Sequence, residues 1–151
     1  MKKIKQITIK HIPDYDADLS WLGKFSDEKG EFAVKHNGGH NTLPYFNAEN
    51  VENMKQARQN YNQIMKYDSG DLYAIGIKAE AEVYTSQDGK TWKIDHITSA
   101  GLWGIEMGNK GDNEDIKSIE EDELDDLKIT LKEFGFTDKE INNAPVVTSD
   151  K

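Results

Sequence analysis

Within residues 72–84 an apolar run passes into strict alternation of apolar and polar side chains from Ile77 to Val83, and no other feature of this 151-residue chain constrains its fold as strongly. Tyr73, Ile75, Ile77, Ala79, Ala81 and Val83 fall on one side, with Lys78, Glu80 and Glu82 on the other. A period of two belongs to a strand buried on one face and wet on the other, the pattern of an antiparallel sheet. Asp88-Gly89 follows, a pair that accepts the left-handed backbone of a tight hairpin turn. Residues 91–98 are therefore expected to return as the partner strand, with Trp92 and Ile94 in register. Gly101 and Gly104 around Leu102-Trp103 then predict a bend or bulge.

The remaining elements follow from the same kind of pattern. Ile7 and Ile9, two apart among Lys and Thr, predict a first strand over residues 3–12 that Pro13 stops. A short strand is expected over residues 31–35. Val51, Met54, Ala57, Tyr61, Ile64 and Met65 recur at three and four, which predicts a helix over about residues 51–67, capped by Asn47 or Asn50 and ended by Gly70. Ser118 and Glu121 have the spacing of a capping box, and Leu124, Leu127, Leu131 and Phe134 form a stripe, which predicts a second helix over about 119–134. Thr137 and Glu140 repeat the box for a short third helix. The expected fold is α+β: an antiparallel sheet of three to five strands with two main helices packed on it, forming one domain over residues 1–142, with residues 143–151 as a flexible tail.

Charge is distributed unevenly. The formal net charge is −9, and between Glu106 and Asp126 ten acids face only Lys110 and Lys117, a net of −8 in that stretch. Phosphate would be repelled there, so direct contact with nucleic acid or an anionic membrane is not expected, whereas a basic protein surface would be attracted. The chain has no cysteine, which excludes disulfides, thiolate nucleophiles and cysteine-based zinc sites and suits a reducing cytoplasm. Met1-Lys2-Lys3-Ile4-Lys5 is followed by no apolar run of a signal peptide, and no stretch approaches the ~20 apolar residues of a membrane span.

Each candidate for chemistry has an ordinary alternative. Asp14, Asp16 and Asp18 match the first three ligand positions of a calcium loop, but Leu19 stands where the turn needs Gly and Phe25 where a bidentate Glu belongs. His36 and His40 are four apart, yet Asn37-Gly38-Gly39 between them opposes the helix that would align them. Glu80 and Glu82, with Asp95 or His96, could form a metal-assisted hydrolase site or simply face water. Ser99 lacks a nucleophile motif, and no phosphate-cradling glycine loop occurs. His11 and His96 read as sheet residues. No cofactor and no metal is expected, and the balance is against an enzyme.

Glu120-Glu121-Asp122-Glu123-Leu124-Asp125-Asp126 exceeds what helix capping requires. Acids near a helix start complement its dipole, but like charges three and four apart oppose it. At a 1.5 Å rise the six charges occupy roughly 9 Å, a spacing near the one charge per ~1.7 Å of duplex DNA.

The segments Gly76-Ile77-Lys78-Ala79-Glu80-Ala81-Glu82-Val83 and Thr98-Ser99-Ala100-Gly101-Leu102-Trp103-Gly104-Ile105-Glu106, the acidic helix ending Leu131-Lys132-Glu133-Phe134-Gly135-Phe136, and the earlier Asp18-Leu19-Ser20-Trp21-Leu22-Gly23 and Tyr45-Phe46 resemble a family of small acidic proteins encoded by bacteriophages, plasmids and other mobile elements. The chain departs from that pattern at Ala100, where Gly is expected, and at Met107-Gly108, where Ser-Asp is expected. The resemblance implies a setting and no mechanism.

The expected function is stoichiometric binding of a host protein with a basic surface in the bacterial cytoplasm, a DNA-mimic-like block of a defence or replication factor. Glu114, Asp115, Glu120, Glu121, Asp122, Glu123, Asp125 and Asp126 are the expected contact residues, with Trp103 as an aromatic anchor beside them. The alternatives are a nucleotide-sequestering homo-oligomer with its pocket near Trp21, Trp92 or Trp103, and the hydrolase just described.

Overall fold

The computed structural model describes residues 1–37, 41–108 and 115–150. Within them the chain runs β1 (Lys2–Pro13), β2 (Gly23–Ser26), β3 (Ala33–Lys35), β4 (Tyr45–Ala48), α1 (Met54–Ser69), β5 (Leu72–Thr85), β6 (Lys93–Thr98), β7 (Leu102–Gly108), α2 (Ile116–Glu133), α3 (Asp138–Asn143) and β8 (Val146–Asp150). The α+β class is as expected. Expected as one domain over residues 1–142, the chain divides into two compact units, residues 1–15, 74–105 and 113–151 in one and 16–73 and 106–112 in the other.

The first unit is built around a five-stranded sheet in the order β6-β5-β1-β8, with β7 also pairing β5. β5 pairs antiparallel with β1 and with β6. The sheet departs from the expected antiparallel form because β8 lies parallel to β1, Ile7 opposite Val146 through His11 opposite Asp150. The expected flexible tail is thus in part a strand. α3 carries the chain over to the sheet, Pro145 cannot continue a helix, and Val146-Val147-Thr148 is a β-branched run suited to a pleated surface. The Ile7 amide donates to the Pro145 carbonyl at 2.8 Å where this pairing begins.

Alternation along β1 and β5 decides which face is dry. Ile7, Ala79, Ala81 and Val83 pack with Leu127, Leu131, Phe136 and Ile141 from α2 and the segment that follows it. Gly76, Lys78, Glu80, Glu82 and Tyr84 point to the opposite face, where Lys10 pairs with Glu80 and Lys5 with Glu82. Each fully buried Ile or Leu contributes ~1.5–3 kcal/mol relative to exposure, so this helix-covered face carries the unit's stability.

The second unit carries a three-stranded antiparallel sheet, order β2-β4-β3, and α1. The N-cap of α1 is Asn53, whose side chain accepts from the Gln56 amide at 2.9 Å. The expected caps, Asn47 and Asn50, lie upstream, because the helix starts at Met54 and Val51 stays outside it. Gly70 closes α1 with φ 84° as expected. His36 is buried against the rings of Phe25 and Tyr61, with Phe46 packed on both of those rings. Its Nε2 lies 2.7 Å from the Asn41 carbonyl oxygen, which can only accept, so Nε2 carries the proton; in the neutral ring Nδ1 then accepts from the Tyr61 hydroxyl at 2.9 Å.

α2 begins at Ile116 with Asp115 at the N-cap. Ser118 therefore lies inside the first turn, and the expected box with Glu121 is not the start of the helix. The box at α3 is real: Thr137 Oγ1 accepts from the Glu140 amide at 3.2 Å and Glu140 Oε1 from the Thr137 amide at 3.0 Å.

Candidate functional site

The acidic run of α2 does not act as a unit, because a helix turns 100° per residue and sends its members in different directions. Glu123 stands four and eight residues before Leu127 and Leu131, on the same inward stripe, and it is 7% exposed. Its Oε1 accepts from Ser99 Oγ and from the Gly101 amide, each at 2.8 Å. Ser99 Oγ in turn accepts from the Ala79 amide at 2.9 Å. Glu123 is thus a buried pin between α2 and the β6–β7 turn, and the expectation that it contacts a partner is corrected. Gly101, with φ 86°, fits a left-handed position that a side chain would strain.

Glu120 is the second member to be diverted. Its Oε2 lies 2.9 Å from His11 Nε2, and both side chains are largely covered. His11, read as an ordinary sheet residue, thus joins β1 to the helix. Glu121, Asp122, Asp125 and Asp126 remain exposed, as does Asp115 at the helix start. Glu114 lies outside the described residues.

Alternation along β7 separates the two apolar residues beside this run. Leu102, 47% exposed, faces α2 and lines an open groove of about 430 Å³ with Ile119, Asp122, Asp125 and Asp126. Trp103, 48% exposed, lies on the other face of the sheet, its ring over Gly76, where an added Cβ would come within 2.1 Å of Trp103 Cε3. Trp103 is therefore not placed beside the acids, and Leu102, missed in the sequence, is. The signal was available in the period of two, which puts neighbours on opposite faces.

The other candidates are committed to structure. Asp14 Oδ2 accepts from the Gly104 amide at 2.8 Å, and Asp18 Oδ1 accepts from the Ser20 amide at 2.9 Å. The hydrogen bonds from Ser20 hold the Asp18 carboxyl below the usual carboxylate range. His40 lies outside the described residues. Glu80 is pushed up by burial, but the bond and charge of Lys10, with His96 and Lys78, outweigh this and leave its carboxyl below the ordinary value. Glu82 lies 3.3 Å from Lys5 Nζ and 3.6 Å from His96 Nε2. Among the described residues no three His, Cys, Asp or Glu side chains converge as a metal-binding group. In the second unit, Glu106 Oε1 accepts from Gln63 Nε2 at 2.8 Å and from the Tyr67 hydroxyl at 2.7 Å.

Comparison with known protein families, with curated proteins and with solved structures finds no match. Among the described residues no helix is long and apolar enough to cross a membrane.

Proposed function

We propose that this chain is a mobile-element accessory protein that acts stoichiometrically, presenting the acidic face of α2 to a basic, nucleic-acid-binding surface of a host protein. The observation that carries the reading is the groove in which Leu102 and Ile119 lie among Asp122, Asp125 and Asp126, with Glu121 exposed on the same helix. Carboxylates beside an apolar strip suit Lys and Arg side chains, whose methylene stems can pack on the strip while their charged ends meet the acids. Opposite charge steers the encounter and sets specificity more than it sets affinity. The docking acids are Glu121, Asp122, Asp125 and Asp126, narrower than the run as a whole.

The test is capture from host lysate by the full chain, at stepped salt, beside a variant with Glu121→Gln, Asp122→Asn, Asp125→Asn and Asp126→Asn. A specific basic nucleic-acid-binding protein, released by salt, displaced by duplex DNA and not held by the variant, is expected. Equal capture by both proteins, or no such protein even at low salt, overturns the reading.

A further inference from the structure

A second site, independent of the acidic face, lies where β1 begins and the β5–β6 hairpin turns. A cavity of about 550 Å³ opens there, lined by Lys2, Thr85, Ser86, Gln87, Trp92 and Lys93 among others. This is within the ~300–1,000 Å³ range of small-molecule sites. Trp92 is 37% exposed and forms part of the wall. Lys3 Nζ sits 4.6 Å from its ring centroid and 5.6 Å from that of Tyr84, which fixes the indole against the sheet.

The local charge runs against that of the whole molecule. In a chain of net −9, this end carries Lys2, Lys3, Lys90 and Lys93 with Asp88 and Asp95, and Glu140 lies within reach of the Lys2 charge. Asp88 is occupied by its own turn: Oδ1 accepts from the Lys90 and Thr91 amides, each at 2.8 Å, and from Ser86 Oγ at 3.2 Å. Asp95 lies 3.7 Å from Lys93 on an exposed edge, too loose a pair to neutralise that lysine. Lys2 lines the cavity, and its ammonium also donates to the Phe134 carbonyl.

An aromatic wall, two lysines at the rim, hydroxyls and one amide together describe a planar ring carrying a doubly charged phosphate. We propose that this cavity binds a free nucleoside monophosphate, its base against Trp92 and its phosphate between Lys2 and Lys93, with Thr85, Thr91 and Gln87 supplying polar contacts. This goes beyond the docking reading, and it singles out Trp92 where the sequence left Trp21, Trp92 and Trp103 equal.

The probe is AMP, titrated into the ¹⁵N-labelled full chain, with adenosine and inorganic phosphate as separate arms. AMP is expected to move the Trp92 indole N–H and the amides of residues 85–93. Adenosine and phosphate should each bind at least about tenfold more weakly, as expected when stacking and charge both contribute. Trp92→Leu and Lys93→Glu should each weaken AMP by a similar factor, while Trp92→Phe, which keeps a stacking ring and serves if the leucine variant does not fold, stays within a few-fold. The four-site acidic-face variant should bind AMP as the parent does, so failure here and failure of the docking reading are separable. Equal shifts with phosphate alone, spread over scattered lysines, or AMP binding unchanged in Trp92→Leu, would overturn the site; a trinucleotide binding more tightly than AMP would overturn the free-nucleotide assignment.

Discussion

Ser99 Oγ donates to Glu123 Oε1 at 2.8 Å inside the first unit, and the Gly101 amide donates to the same oxygen. Removing that acceptor strands two donors where water has little access, a loss of ~1–3 kcal/mol for each buried group left unsatisfied. Glu123→Ala should therefore lower the urea midpoint strongly, whereas Glu123→Gln, which keeps a side-chain carbonyl at the same reach, should recover most of the loss. Alanine behaving like wild type would mean that the pin is not formed.

The contact between Gly76 and Trp103 makes a second prediction. A methyl group on Gly76 would meet the indole at 2.1 Å, far inside contact distance, so Gly76→Ala must displace the ring. Overpacking of this kind costs ~1–3 kcal/mol. In a Trp103→Ala background the obstruction is gone, and the same substitution should cost markedly less. A double-mutant cycle by chemical denaturation reads the difference, and additivity of the two changes would place the ring elsewhere.

Much of the first unit was legible because its signals are local. The alternation within residues 72–84 and the leucine stripe of α2 each state a period, and β5 and α2 follow, whereas β6 returns after the longer connection 86–92 rather than a tight turn at Asp88-Gly89. The second sheet was harder to see, since β2, β3 and β4 are three or four residues long and too short to show a period. β8 has only its β-branched composition to announce it, and its parallel pairing with β1 is a long-range event. Within the candidate site the misreadings share one cause: a linear count of charge ignores direction. Glu123 shares the spacing of Leu127 and Leu131, so the helical period applied to acids as well as to leucines marks it as buried. His11 and Glu120 are 109 positions apart, and no local pattern joins them.

Alkali should disclose the Tyr67–Glu106 contact in the second unit. Burial raises the Tyr67 phenol well above its ordinary value of 10.0, and the bond to Glu106 and that group's charge raise it further. Because the folded state favours the protonated phenol, the resulting stability is fully present below the unfolded pKa of about 10 and is lost as pH climbs beyond it toward the folded value. Tyr67→Phe should delete one ionisation from the most alkaline part of an ultraviolet difference titration. Glu106→Gln should bring that ionisation to lower pH. Loss of a step in the ordinary tyrosine range instead would contradict the buried contact.

On the acid side, Glu80 has the opposite sign. Its folded carboxyl lies below the ordinary value despite burial, through Lys10. Its contribution is therefore present above the unfolded glutamate pKa and is lost as pH falls through the lower folded value. Lys10→Met should raise the Glu80 pKa in a carbon-detected NMR titration, lower stability at neutral pH and flatten the part of the acid-induced loss that Glu80 supplies. An unmoved Glu80 would show that the pair is not maintained in solution.

Docking and folding make opposite demands on α2, and this separates them experimentally. Glu121 with Asp125, Asp122 with Asp125 and Asp122 with Asp126 are like charges three or four apart, each pair opposing the helix by ~0.2–0.5 kcal/mol. Neutralising all four exposed acids should leave the melting temperature unchanged or raise it slightly, while binding to the basic partner falls steeply and loses its salt dependence. Leu102→Glu, on the strand side of the same groove, should weaken binding by a different route, removing the apolar strip while adding charge. If binding depended on charge alone, that substitution would strengthen it; weakened binding in both variants is the outcome that requires the groove as well as the acids.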